Sequence, residues 1–147
     1  MFSVVLPAAR SDQEQTSSAG AVRAIVRRRV LMVDDDDVVI RALVRALRAH
    51  HDIVGVTTAE SAIAELERGP LPDVLLCDVM MPDTTGAALV EQISERWPVM
   101  RERVLFLTGG AFGEGARELE AREHGRVLHK PIALADLLDA IERVGPR

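Results

Sequence analysis

Four short apolar runs, each leading to a polar or charged residue, constrain this 147-residue chain more than any other feature. Val30-Leu31-Met32-Val33 leads into Asp34-Asp35-Asp36-Asp37, and Leu75-Leu76-Cys77 into Asp78. Val104-Leu105-Phe106-Leu107 stops at Thr108, and Val127-Leu128 reaches Lys130-Pro131 one residue later. A continuous apolar run of this length suits a strand buried on both faces, as in a parallel sheet. Between the runs, apolar residues recur at helical spacing: Ile40, Leu43, Val44 and Leu47; Ile63 and Leu66; Leu89 and Ile93; Leu134, Leu137, Leu138 and Ile141. Ile53-Val54-Gly55-Val56 adds a short strand, and residues 116–122 a weak helix.

Five strands alternating with five helices predict a flavodoxin-like, doubly wound α/β fold. Right-handed crossovers favour a five-stranded parallel sheet in the order 2-1-3-4-5, with helices on both faces. Asp36 or Asp37 is expected to cap the first helix. Thr57 with Glu60 reads as a capping box for the second, which Gly69-Pro70 ends. His50 and His51 read as cations at the C-terminus of the first helix. Phe2 to Pro7 looks like a short strand, and residues 10–20 like a linker; the run Arg27-Arg28-Arg29 is expected to form a solvated linker face. The predicted organisation is residues 1–28 as N-terminal segment and linker, and 29–145 as one domain.

Composition narrows the function. An apolar fraction of 48% excludes a disordered chain, and a net charge of −5 speaks against a nucleic-acid partner. One cysteine gives no disulfide framework and fits a reducing compartment, hence a cytoplasmic location. No apolar run approaches a membrane span, so no membrane contact is expected from this segment. Cys77 reads as a buried, inert thiol. His124 and His129 read as surface residues, and the glycines after Thr108 lack the Gly-Lys-Ser/Thr ending of a P-loop.

In a doubly wound sheet, ligands bind beyond the carboxyl ends of the strands, near the point where strand order reverses. That crevice would collect Asp34, Asp35, Asp78, Thr108 and Lys130. Three carboxylates repel one another, and a divalent cation with oxygen preference, Mg²⁺ or Mn²⁺, would relieve this. Such an ion recruits phosphate oxygens, so the site looks built for phosphoryl chemistry. Lys130 is the only lysine among 18 basic residues. A compact ammonium on a flexible stem suits a role that a planar guanidinium does not.

On these residues the chain resembles the receiver domain of two-component response regulators. That family has an acidic pair after strand 1, a phosphoacceptor Asp after strand 3, Thr or Ser after strand 4, and Lys-Pro after strand 5. Here these are Asp34-Asp35, Asp78, Thr108 and Lys130-Pro131. Thr108 lies 30 residues past Asp78, and Lys130 22 past Thr108, as in the family; Asp78-Val79-Met80-Met81-Pro82 with Gly86 matches the loop after the acceptor. The resemblance implies that Asp78 takes a phosphoryl group from a phosphohistidine. Asp35 and the Met80 backbone carbonyl would hold the metal directly, and Asp34 mostly through water. Lys130 would contact Asp78 and then the phosphoryl oxygens, while the Thr108 hydroxyl and Gly109 amide receive those oxygens. Pro131 is a candidate cis proline. The implied partners are a histidine-kinase phosphohistidine domain or a histidine phosphotransfer protein.

Three departures from the family pattern bear on signalling. Val127 stands where many receivers carry Tyr or Phe, so the usual coupling of Thr movement to an aromatic rotamer cannot operate; the glycine-rich loop after Thr108 is expected to carry the change instead. Met80 and Gly110 offer no side chain to orient a water, which implies slow loss of the phosphoryl group. Ala133 replaces a capping residue at the last helix. The chain ends just after that helix, so no DNA-binding output domain is expected. Phe2-Ser3-Val4-Val5-Leu6-Pro7 resembles the last strand of a histidine-kinase ATP-binding domain, and Thr108-Gly109-Gly110-Ala111-Phe112 is worded as in hybrid-kinase receivers. The expected parent is therefore a hybrid sensor kinase, itself free to be membrane-bound. The alternatives are a stand-alone single-domain regulator and a pseudo-receiver that binds partners without phosphorylation. An Asp-nucleophile phosphohydrolase would need a second Asp at position 80, where Met stands.

Overall fold

The structure, a computed structural model, describes residues 25–109 and 114–147. The N-terminal strand-like segment, the linker up to residue 24, and Gly110 to Gly113 of the glycine-rich loop lie outside the described residues. In chain order the elements are β1 (Arg29–Val33), α1 (Asp37–Leu47), β2 (Asp52–Val56), α2 (Ala59–Arg68) and β3 (Val74–Asp78). Then come α3 (Gly86–Arg96), a 3-10 turn (Pro98–Arg103), β4 (Val104–Thr108), α4 (Glu114–Arg122), β5 (Val127–His129) and α5 (Leu134–Val144). The strands are all parallel and stand in the order β2-β1-β3-β4-β5, as the sequence predicts.

Period-two alternation divides the strand residues between two cores. Leu31, Val33, Leu75, Cys77, Val104 and Phe106 face α2 and α3, meeting Ala62, Leu66, Leu89 and Ile93. Val30, Met32, Val74, Leu76, Leu105 and Leu107 face α1 and α5, meeting Ile40, Leu47, Leu137 and Ile141. All five residues of β3 are buried because both neighbouring strands and both helical layers cover it. Gly55 lets α1 approach β2: a Cβ there would lie 2.5 Å from Ile40 Cγ2.

Asp36 caps α1, its carboxylate accepting from the Val38 and Val39 amides. Three local expectations change. The α2 cap is Thr58, not Thr57, accepting from the Ser61 amide at 3.0 Å; β2 runs to Val56, and two residues are needed to turn. His51 is not a helix-end cation. It is 1% exposed, its Nδ1 accepts from the Arg28 amide at 3.2 Å, and burial lowers its pKa, helped by the charges of His50 and Arg28. Arg28 is no solvated linker residue: it is 6% exposed, pairs with Glu142 at 3.2 Å and donates to the Pro146 carbonyl at 2.6 Å. Ala133 provides no side-chain cap to α5, as expected. Among the described residues, no helix is long and apolar enough to cross a membrane.

Candidate functional site: a carboxylate cluster at the sheet's C-terminal edge

The register places the site. Val33 of β1 pairs with Cys77, so Asp34 and Asp78 both come one residue later, on adjacent strands. Asp78 pairs with Leu107, which puts Thr108 one step beyond it, and Thr108 pairs with His129, which puts Lys130 one step further. The strand ends thus deliver three acids, a threonine and a lysine to one edge of the sheet. One carboxylate oxygen from each of Asp34, Asp35 and Asp78 can be chosen so that all lie within 4.8 Å of one another.

Each acid has a different environment. Asp34 is 1% exposed; its amide donates to the Val56 carbonyl at 3.2 Å, and its Oδ1 accepts from the Asp36 amide at 2.9 Å. Asp35 is exposed. Asp78 is 6% exposed, and its pKa is raised to about 6, first by burial and then by the charge of Asp34, against the pull of Lys130. Lys130 Nζ donates to Asp34 Oδ2 at 2.6 Å and lies 3.5 Å from Asp78 Oδ1. The shorter contact is with the fully buried acid, where an unpaired charge costs most. Burial alone would lower the lysine pKa, but the hydrogen bond to Asp34 and the charges of both acids raise it. Lys130 therefore stays an ammonium between two carboxylates.

The surrounding backbone is held tightly. The Lys130 amide donates to the Thr108 carbonyl at 2.8 Å, and the Lys130–Pro131 peptide is cis. Thr108 is buried and Gly109 exposed. The loop after Asp78 is closed by the Val79 amide on the Leu107 carbonyl, the Gly86 amide on the Val79 carbonyl, and a Met80–Thr85 bridge. Thr85 then caps α3 by accepting from the Ala88 amide. That cap was not singled out from sequence; a threonine directly before Gly86 and an apolar-periodic run was the available signal. Cys77 is buried beneath the loop with its thiol pushed up to about 12 by burial and the nearby acids, so it is inert.

Gly86 is required by closeness. A Cβ there would lie 2.3 Å from the Asp78 carbonyl oxygen and 3.2 Å from Cys77 Sγ. Backbone cannot yield as a side-chain tip can, so Gly86→Ala is expected to destabilise the fold by about 2 kcal/mol. It should also weaken divalent-cation binding at the acid cluster, because α3 and the end of β3 at Asp78 must part. Denaturant melts with and without Mg²⁺ check both effects.

The raised Asp78 pKa gives a signed pH effect. Unfolded, the group titrates near 3.8; folded, near 6. Between these values the folded state holds the proton more tightly, so this group makes stability fall as pH rises through the window. Melts in EDTA should show that slope in the wild type, and Asp78→Asn should remove it. Mg²⁺ should displace the window to lower pH, since a bound cation favours the carboxylate.

The profile of the response regulator receiver domain matches residues 30–142. The response regulator receiver protein CpdR of Brucella abortus is 31% identical over 105 residues, covering 71% of this chain and 85% of that protein. Hybrid signal transduction histidine kinase H of Dictyostelium discoideum is 27% identical over 92 residues, covering 63% of this chain but 7% of that protein. Among solved structures, chemotaxis protein CheY4 of Vibrio cholerae superposes with a TM-score of 0.69 at 26% identity, covering 81% of this chain and 99% of that one. A CheY-like receiver protein of Methanospirillum hungatei gives a TM-score of 0.68 at 25% identity, covering 80% of this chain and 93% of that one. Matched in sequence across its described sheet and built on the same fold, this chain belongs to the response regulator receiver domain family of two-component signalling.

Proposed function

We propose that Asp78 accepts a phosphoryl group from a phosphohistidine on a histidine kinase or phosphotransfer protein, with Mg²⁺ or Mn²⁺ bound. The observation that carries this is the convergence of Asp34, Asp35 and Asp78 within 4.8 Å, with Lys130 reaching two of them. An all-oxygen, trianionic donor set suits a hard divalent cation. Asp35, Asp78 and the Met80 carbonyl would hold it directly, and Asp34 through water. A bound cation supplies charge neutralisation between the acceptor carboxylate and the incoming phosphoryl oxygens.

The chain's own part is alignment and charge compensation. An Asp78 carboxylate oxygen forms the new bond to phosphorus as the nitrogen–phosphorus bond of the donor breaks. The electron pair of that bond returns to the histidine, and an acyl phosphate results. Lys130, already an ammonium, follows the negative charge onto the phosphoryl oxygens. The Thr108 hydroxyl and Gly109 amide supply further donors, and the glycine-rich loop carries the signal that an aromatic at Val127 carries elsewhere.

Incubation with Mg²⁺ and acetyl phosphate, read by intact mass, tests the reading. One stable adduct per chain supports a receiver. Continuous phosphate release would indicate a phosphohydrolase, and no adduct a pseudo-receiver. Met80 is 68% exposed and has no group to orient water, so the adduct is expected to persist for minutes or longer. Decay within seconds would contradict that part.

For the parent we propose a hybrid sensor kinase, supported by the match to kinase H and by the kinase-like segment Phe2 to Pro7. A stand-alone cytoplasmic regulator is favoured by the match over most of CpdR. An immunoblot of host cells separates the two: a band near 16.1 kDa supports the stand-alone form, and a much larger one the kinase.

A further inference from the structure

At the end of the sheet opposite Asp78 lies a groove of about 620 Å³, where the chain enters β4 and β5 and leaves α5. Its lining includes Arg103, Arg126 and Arg143 against one acidic side chain, Glu102, on a chain whose net charge is −5. Several other arginines of the domain meet carboxylates, Arg27 with Asp52, Arg68 with Glu65, Arg96 with Glu67, and Arg101 with Glu123, whereas among the described residues Arg29, Arg45, Arg48, Arg117 and Arg122 do not. Among the described residues, Arg103, Arg126 and Arg143 have no such partner. Each is anchored on a backbone carbonyl instead: Arg103 on Pro72 at 3.1 Å, Arg126 on Arg101 at 2.8 Å, and Arg143 on Gly125 at 3.2 Å.

This arrangement has a chemical meaning. A guanidinium carries five N–H donors, and each anchor uses one of them. The anchor fixes the orientation of the fork without neutralising its charge, which lowers the ordering cost when an anion arrives. Three such forks around one concavity match several phosphate groups, each able to accept in pairs. The volume falls within the range of small-molecule sites, which favours a compact ligand over a protein surface.

We propose that this groove binds a small molecule carrying a chain of two or more phosphates, such as a nucleotide or inorganic polyphosphate, at the pole opposite the phosphoacceptor. The site needs no metal and makes no use of Asp78.

The test is calorimetric titration of the whole chain in EDTA with tripolyphosphate, ATP and orthophosphate in separate arms. Without metal, the acid cluster repels all three, and the Arg126 and Arg143 variants distinguish this groove from the one lined by Arg27, Arg29, Arg48 and Arg68. Saturable one-to-one binding of tripolyphosphate is expected, with orthophosphate weaker by about tenfold or more. ATP binding tighter than tripolyphosphate assigns the site to a nucleotide, and equal binding assigns it to the phosphate chain alone. Arg126→Gln combined with Arg143→Gln should weaken binding by at least about tenfold. Arg126→Lys with Arg143→Lys keeps the charge and should still weaken it several-fold through loss of paired donation; circular dichroism verifies that both variants fold. Absence of tripolyphosphate and ATP binding overturns the proposal. So does equal affinity for orthophosphate, unchanged affinity in folded Gln variants, or tighter binding of a poly-glutamate peptide than of tripolyphosphate.

Discussion

Asp78→Asn is expected to abolish phosphoryl acceptance while making the metal-free protein more stable. If Asp78 is the phosphoacceptor proposed above, its replacement removes the carboxylate that forms the acyl phosphate, so intact mass after acetyl phosphate treatment should show no adduct. The stability effect follows from burial. The folded-state pKa of Asp78 is raised to about 6, so above that pH its charge opposes folding. Asparagine removes this charge at nearly constant volume. In EDTA at pH 8 the gain should be roughly 2 kcal/mol, read by urea melts. A variant that loses both the adduct and the fold would mean that Asp78 is structural.

Lys130→Met is expected to do the reverse. Its ammonium is the cation that meets Asp34, which is 1% exposed, at 2.6 Å and Asp78 at 3.5 Å. Removing one member of a buried pair leaves a charge without compensation, which costs about 3 kcal/mol in metal-free buffer. Mg²⁺ should recover much of that loss, because a cation bound only by the folded state stabilises by mass action. Affinity for Mg²⁺ should rise about tenfold, since a competing positive charge is gone. Acetyl phosphate labelling should nevertheless fall by about 10²-fold, because the phosphoryl oxygens lose their mobile counter-charge. Calorimetric titration with Mg²⁺ and a labelling time course separate these effects. Opposite stability signs for Asp78→Asn and Lys130→Met are the signature of a site held together by charge.

Much of this was legible in the residues because the polar strand ends punctuate otherwise apolar runs. The sheet order followed from alternation and chirality, and the acids, Thr108 and Lys130 followed from which strand ends neighbour the switch point. What sequence could not show depends on contacts across long separations. His51 is no helix-end cation because burial lowers its pKa, in a position where the Arg28 amide, 23 residues earlier, donates to its Nδ1. Arg28 is buried because the end of α5 offers Glu142 and the Pro146 carbonyl. Nothing in a run of three arginines says which one turns inward. Lys130 was expected on Asp78, yet its closer partner is Asp34, since the deeper carboxylate has the greater need of a cation. The α2 cap slipped from Thr57 to Thr58 because adjacent threonines are chemically equal, and only the length of β2 decides between them.

The most direct test is chemical location of the phosphoryl group. The protein is labelled with acetyl phosphate in Mg²⁺ and quenched with borohydride, which reduces an acyl phosphate to an alcohol and so turns the acceptor Asp into homoserine. Peptide mass spectrometry should find homoserine at position 78 alone, and nowhere when EDTA replaces Mg²⁺. Homoserine at Asp34 or Asp35 instead, or equal labelling without the metal, would contradict Asp78 as a metal-dependent phosphoacceptor.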